Sequence, residues 1–274
     1  VLLGRGQTPW GPHAPVPPGP LAILDWGVRP LDRPALLVDH HVPESEPGAQ
    51  QTLLSGHGEE PETTTAALMR RLVPEAPAWL AAVGTVGDLG TPGFALPEAT
   101  PAPKTAVREL VALVNAPRRL AEGPVRTALA LLVEHDEPKA ALADPRIEEL
   151  REAKRAWKAE LDRVIRTPPV VGPAVALLRF RSSAQVHPLV ATTWARRLAP
   201  RVVVAANDDY LPGYVNFAMR GGEGSLLDLL RAALPEGFRG EAAHGHPRAT
   251  GGSLRPADFA LTMARLGVPA APRH

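Results

Sequence analysis

The sequence predicts an α/β protein in which a parallel sheet comes first, a charged helix follows, and a smaller mixed α/β domain ends the chain. Three observations predict it. Two short apolar runs, Leu21-Ala22-Ile23-Leu24 and Ala35-Leu36-Leu37-Val38, each end in Asp and read as buried parallel strands. Residues 145–166 form a charged stretch with Leu150, Trp157 and Leu161 at near-helical spacing. Beyond Pro168-Pro169, residues 174–180 and 201–206 are again apolar runs of strand type, separated by a helical pattern over 190–198. The boundaries that follow are a first domain at 1–145, a connecting helix at 146–167 and a second domain at 168–274.

In the first domain, residues 28–34 make a tight connection between the two strands. Glu62-Thr63-Thr64-Thr65 then supplies hydroxyl caps ahead of the helix formers at 66–72. A second helix is predicted over 78–86, running into Gly87-Asp88-Leu89-Gly90, whose flanking glycines permit a turn that leaves Asp88 exposed. Residues 91–103 are proline-rich and read as a loop, and helical patterns resume over 104–132. The second domain carries two Gly-rich turns, at 221–224 and 245–252. No internal repeat of fixed period is present.

Composition narrows the chemistry. With 45% hydrophobic and 22% charged residues the chain is of globular type, and the absence of Cys excludes disulfides, thiolate metal ligands and a Cys nucleophile. That composition fits a reducing cytoplasm. No uninterrupted apolar stretch approaches the ~20 residues that span a bilayer, and the first residues form no apolar signal core, so a soluble protein without a membrane partner is expected. A net charge of +1 gives no global electrostatic footprint, so any nucleic-acid contact must come from a local patch.

The candidate site lies at the strand ends. In open α/β sheets the ligand crevice lies outside the carboxyl ends of the strands, so Asp25 and Asp39-His40-His41 are delivered to one rim. Hydrolysis of a phosphodiester needs a hydroxide near neutral pH and a way to absorb charge on the phosphoryl oxygens, and two metals roughly 3.5–4 Å apart supply both. Asp25, Asp39, His40, His41 and Asp88 are ligand types for such ions. A mixed Asp/His set without Cys favours manganese or a similar divalent ion over structural zinc. Trp26 and Trp157 read as packing residues, and His57 and His187 as surface histidines.

The ordered set Leu24-Asp25-Trp26-Gly27, Val38-Asp39-His40-His41-Val42-Pro43-Glu44, Gly84-Thr85-Val86-Gly87-Asp88-Leu89-Gly90 and Gly245-His246-Pro247-Arg248-Ala249-Thr250-Gly251-Gly252-Ser253 resembles the DHH phosphoesterase family. The style is that of its RecJ-like exonuclease and oligonucleotide-hydrolase branch. The resemblance spans nearly the whole chain, and its last part is similar to the glycine-histidine loop of the DHH-associated C-terminal domain.

It implies that Asp25 bridges two metals, that His40 and Asp88 ligate one of them, and that Asp39 and His41 support metal and scissile phosphate in catalysis. It implies a substrate-binding role for Arg220, Gly245, His246, Arg248, Gly251 and Gly252. The implied cofactor is Mn2+ in a two-metal site, with Mg2+ as the alternative ion. The implied partner is single-stranded nucleic acid or a short oligonucleotide, with a cyclic dinucleotide, a small nucleotide phosphate or binding without cleavage as the other readings.

The chain departs from the family in its first motif. Before Asp25 only His13 offers a ligand, in Trp10-Gly11-Pro12-His13, and the start at Val1 favours loss of an upstream segment.

Overall fold

The computed structural model describes residues 3, 7–10, 14, 16–43, 45–236, 244–246 and 248–268. His13, Glu44 and Pro247 lie outside the described residues, as do the side chains of 244–246. The architecture is mixed α/β, with a three-stranded parallel sheet and a separate six-stranded mixed sheet. The chain divides into two compact units, 1–117 with 124–151 and 118–123 with 152–274.

In the first unit, β1 (Leu21–Leu24), β2 (Ala35–Asp39) and β3 (Gln51–Ser55) pair in that order, all parallel. β2 is central, which is why Leu37 and Val38 are fully buried and its apolar run is unbroken. The third strand was not legible in the sequence, because Gln51 and Ser55 bracket its two leucines and give it no continuous apolar signature. α1 (Thr65–Leu72) starts where the hydroxyl cap predicts it, with the Thr64 side chain accepting from the Ala67 amide.

α2 (Ala78–Leu89) runs three residues past the predicted end at 86, so the expected turn around Asp88 is the last turn of a helix. Its Gly84 acts through packing: a Cβ there would lie 2.4 Å from the Ala66 Cβ of α1. The expected 91–103 loop opens with a 3-10 turn at Thr91–Ala95. The helical patterns expected over 104–132 are two helices, α3 (Lys104–Val114) and α4 (Val125–Glu134), followed by α5 (Pro138–Ala143). Trp79, Val83, Phe94, Val107, Leu110 and Leu131 fill the helical core of this unit.

The division between units falls inside α6 (Ile147–Val164). Packing accounts for this. Ile147 and Leu150 belong to the core of the first unit, and Leu161 and Val164 to a core of the second. The excursion at 118–123 goes with the second unit because Leu120 packs on that same core and the Arg119 carbonyl accepts from the Gln185 amide at 2.7 Å.

The second unit is built on β4 (Val170–Val171), β5 (Val175–Phe180), β6 (Val202–Asn207), β7 (Val215–Gly221), β8 (His244–His246) and β9 (Ala249–Leu254), in the order β4-β5-β6-β7-β9-β8. β5 and β6 are parallel and the other pairs antiparallel. Alternate residues serve two cores. Leu178, Val203 and Ala205 join Val190 of α7 (His187–Arg197), whereas Leu177, Val204, Phe217 and Met219 join Leu230 of α8 (Leu226–Ala233) and Phe259 of α9 (Pro256–Arg265). Burial on both faces explains why β5 and β6 are continuously apolar.

The glycine-rich segment 245–252, expected as a turn, is a hairpin. Residues 249–251 have β7 on one side and β8 on the other, so their backbone groups are shared between two ladders. The glycine at 251 answers to packing, since a Cβ there would lie 2.3 Å from the Phe217 carbonyl oxygen. His187 also departs from expectation. It is 7% exposed at the start of α7, its ring edge meets Tyr210, and its Nδ1 has no hydrogen-bond partner among the described residues. Trp26, expected to pack, is 44% exposed. No helix among the described residues is long and apolar enough to cross a membrane.

Two outcomes follow from this packing. Gly251→Ala must force β9 away from β7 and is expected to lower stability by about 2 kcal/mol, read by urea denaturation. Burial, reinforced by the charge of Arg220, pushes the His187 imidazole down to about 4. The unfolded chain therefore takes up a proton there first as pH falls, and the folded state loses stability between pH ~6.5 and ~4, on the order of 3 kcal/mol in all. His187→Gln should remove that slope, so the difference between wild-type and variant unfolding free energies should change with pH over this window and be flat above it.

Candidate metal centre

Parallel pairing places the ends of β1 and β2 side by side. Leu24 is in register with Val38, and the Asp25 amide continues the ladder by donating to the Val38 carbonyl at 3.0 Å. Asp25 then turns sharply, at φ 64, as the one non-glycine residue with positive φ among those described. Asp tolerates this left-handed region better than most residues, at a cost of order 1–3 kcal/mol. The turn leaves its carboxylate half-exposed at the sheet edge, where Oδ1 accepts from the Thr65 hydroxyl at 2.8 Å.

His40 and His41 leave the end of β2 with different partners. The His40 Nδ1 lies 3.1 Å from the Thr63 carbonyl, which can only accept, so Nδ1 carries a hydrogen. Its Nε2 faces Asp25 Oδ1 at 3.4 Å. A lone pair aimed at a carboxylate is repulsive, so this pair calls for a positive charge, either a second proton on the ring or a cation. The bond to Asp25 accordingly raises the His40 pKa, and the same bond, from the other side, lowers that of Asp25.

The His41 Nδ1 is 2.9 Å from Asp39 Oδ1, which raises its pKa and leaves Nε2 clear of that bond. Asp39 itself is 2% exposed. Burial pushes its carboxyl up, but the side chain and amide of His41 and the amide of Gly27 outweigh that and hold it below its ordinary value. Asp39 thus orients His41 and closes the turn after β1.

One ligand atom from each of Asp25, His40 and His41 lies within 4.8 Å of the others. Asp88 contributes from the last turn of α2, where helix carbonyls add partial negative charge, and its field raises the pKa of both histidines. The site therefore gathers one carboxylate and two imidazoles from two strand ends, with the charge of Asp88 acting on both histidines from the end of α2. Oxygen and imidazole donors without sulfur fit a hard or borderline divalent cation, and a His fixed through Nδ1–H to a carbonyl or carboxylate has the form in which imidazole ligates through Nε2.

The residues expected to bind substrate are in the second unit. Arg220, on β7, donates from Nη1 to the carbonyls of Met219 at 2.8 Å and Thr250 at 3.2 Å. Gly245 and His246 are on β8, Gly251 and Gly252 on β9, and Arg248 is exposed at the hairpin end. Sequence reasoning missed the neighbours of Arg220. Arg118, Arg119, Trp157, Gln185 and Thr192 join it around a pocket of about 320 Å³, with the Arg119 guanidinium 4.6 Å from the Trp157 ring. Burial lowers the pKa of both Arg119 and Arg220, in Arg119 with repulsion from Arg118 added. Paired arginines after Pro117 were the available signal, lost among the helical patterns read over 104–132.

No family model matches the sequence, and comparison with curated proteins finds no relative. Solved structures do match. An exonuclease RecJ bound to manganese is 18% identical, with a TM-score of 0.57 over 90% of this chain and 74% of its own. RecJ from Thermus thermophilus in complex with Mn2+ is 20% identical, with a TM-score of 0.59 over 88% of this chain and 42% of its own. The same protein in complex with Mg2+ gives 20% identity and a TM-score of 0.59 over 95% of this chain and 46% of its own. This chain thus spans less than half of Thermus RecJ, and what the likeness establishes is a shared fold over the matched part.

Proposed function

We propose that the chain is a metal-dependent phosphodiesterase acting on single-stranded nucleic acid or short oligonucleotides. The observation that carries the reading is the convergence of Asp25, His40 and His41 at the sheet edge, with His40 turned to present Nε2 toward a carboxylate. A RecJ of the same fold, described as an exonuclease, holds manganese.

Asp25, His40 and Asp88 would hold a divalent ion, Mn2+ or Mg2+. When bound, such an ion supplies a hydroxide near neutral pH and offsets charge gathering on the phosphoryl oxygens. Asp39 keeps a hydrogen on His41 Nδ1 and favours the protonated ring. Where His41 stays out of the metal's coordination, a proton on its Nε2 would be available to a phosphoryl or leaving-group oxygen. Arg220, with Arg118 and Arg119 beside it, supplies guanidinium donors suited to phosphate. His246 and Arg248 would add donors from the hairpin that Gly245, Gly251 and Gly252 help to form. A pocket of about 320 Å³ is of small-ligand size, which favours a few nucleotides over a long track.

Cleavage of end-labelled single strands of increasing length in Mn2+, beside a cyclic dinucleotide, tests this reading. Turnover should be abolished by a chelator and fall about 100-fold or more in His40→Ala. Metal-dependent turnover that survives in the variant would remove the assignment, and a preference for the cyclic dinucleotide would move the substrate class. Arg220→Gln should raise KM about 10-fold with kcat little changed, because it removes one charged contact to substrate.

A further inference from the structure

Three consecutive buried threonines open α1, at 1%, 0% and 6% exposure for Thr63, Thr64 and Thr65. Buried hydroxyls cost stability unless each finds a partner. Their partners are not local alone. The Thr65 hydroxyl donates to Asp25 Oδ1 at 2.8 Å, and the Thr63 carbonyl accepts from His40 Nδ1 at 3.1 Å. Thr64 Oγ1 lies 3.3 Å from Thr85 Oγ1, on the helix that carries Asp88. Proton accounting fixes the direction of this last contact. Thr85 spends its one hydroxyl hydrogen on the Ala81 carbonyl at 2.6 Å, so Thr64 is the donor, while its oxygen accepts from the Ala67 amide.

We infer that Thr63, Thr64 and Thr65 are positioning residues that set the spacing of Asp25, His40 and Asp88, each threonine holding one of the three ligand-bearing elements. This rests on reading those three residues as metal ligands. The strand ends fix only where Asp25 and His40 leave the sheet. The rotation of the carboxylate is set by Thr65 and the ring plane and hydrogen of His40 by Thr63, two residues apart on one rigid helix start. Thr64 keeps that helix start against α2. Outside the ligands themselves, such partners commonly govern metal affinity by 10–100-fold.

The test compares Thr65→Val, which keeps the shape and loses the donor, with Thr65→Ser, which keeps the donor. Mn2+ is titrated into each protein and the free ion followed by its electron paramagnetic resonance signal. Thermal melts in chelator report stability apart from metal. The expected result is Mn2+ affinity reduced 10–100-fold in Thr65→Val, affinity within a few-fold of wild type in Thr65→Ser, and similar melting temperatures in chelator. Should the valine variant not fold, Thr65→Ala, which also lacks the donor, takes its place with the same expectation. Wild-type affinity in the donor-less variant overturns the inference and leaves the metal centre standing. Failure of the wild-type protein to bind Mn2+ overturns both.

Discussion

The site depends on the parallel pairing of β1 with β2. Register Leu24 to Val38 brings the residue after each strand to one edge, and the core enforces that register. Leu37 is fully buried and packs with Ile23 and Val28, so a one-residue slip would take it off that core and onto the opposite face of the sheet. Several kcal/mol of burial thus hold Asp25 opposite the Asp39-His40-His41 segment before any polar contact is counted. The Asp39 carboxylate then takes the Gly27 amide across the gap, tying the turn after β1 to the end of β2. The left-handed backbone of Asp25 is the local cost of delivering its carboxylate to the edge, and the surrounding ladder offsets it.

The division of labour among the carboxylates follows from burial. Asp39 is enclosed and its oxygens are occupied by three donors, so it acts on His41 and the backbone. Asp25 is half-exposed, and its contacts with Thr65 and His40 both fall on Oδ1. Asp88 sits on an exposed helix end, where the peptide dipoles add to its charge. The same residue type in three environments therefore gives one orienting group and two groups that attract cations.

How much of this was legible in the sequence follows from the range of the interactions. Asp25 and Asp39-His40-His41 could be found because a strand end and its last residues are local facts, and the Thr64 cap could be found for the same reason. The helical setting of Asp88 could not, since Gly87 and Gly90 read as the flanks of a turn, and only the contact with Ala66 shows why glycine is needed at 84 inside the helix. The strands β7 and β9 were hidden behind Asn216, Arg220 and paired glycines, residues whose place in a sheet is decided by neighbours far along the chain. His187 looked like a surface residue beside a proline, and only α7 lying on β6 and β7 buries it. The roles of Thr63 and Thr65 were invisible for a similar reason, because their partners lie 23 and 40 residues away.

The second unit shows what distinguishes a guanidinium that holds the fold from one available to a ligand. Arg179 makes two hydrogen bonds to Asp208, at 2.8 and 2.9 Å, in a largely buried pair, so its charge is already answered. Arg119 and Arg220 are also largely withdrawn from water, but among the described residues no carboxylate pairs with them or with Arg118. Arg220 has only backbone carbonyls, and Arg119 lies on the face of Trp157. Folding has thus already met the cost of desolvating these cations without supplying their counter-charge. An anion entering the pocket would displace less water from the half-buried Arg119 and Arg220 than from solvated arginines on an open surface, and would relieve the repulsion between Arg119 and the exposed Arg118.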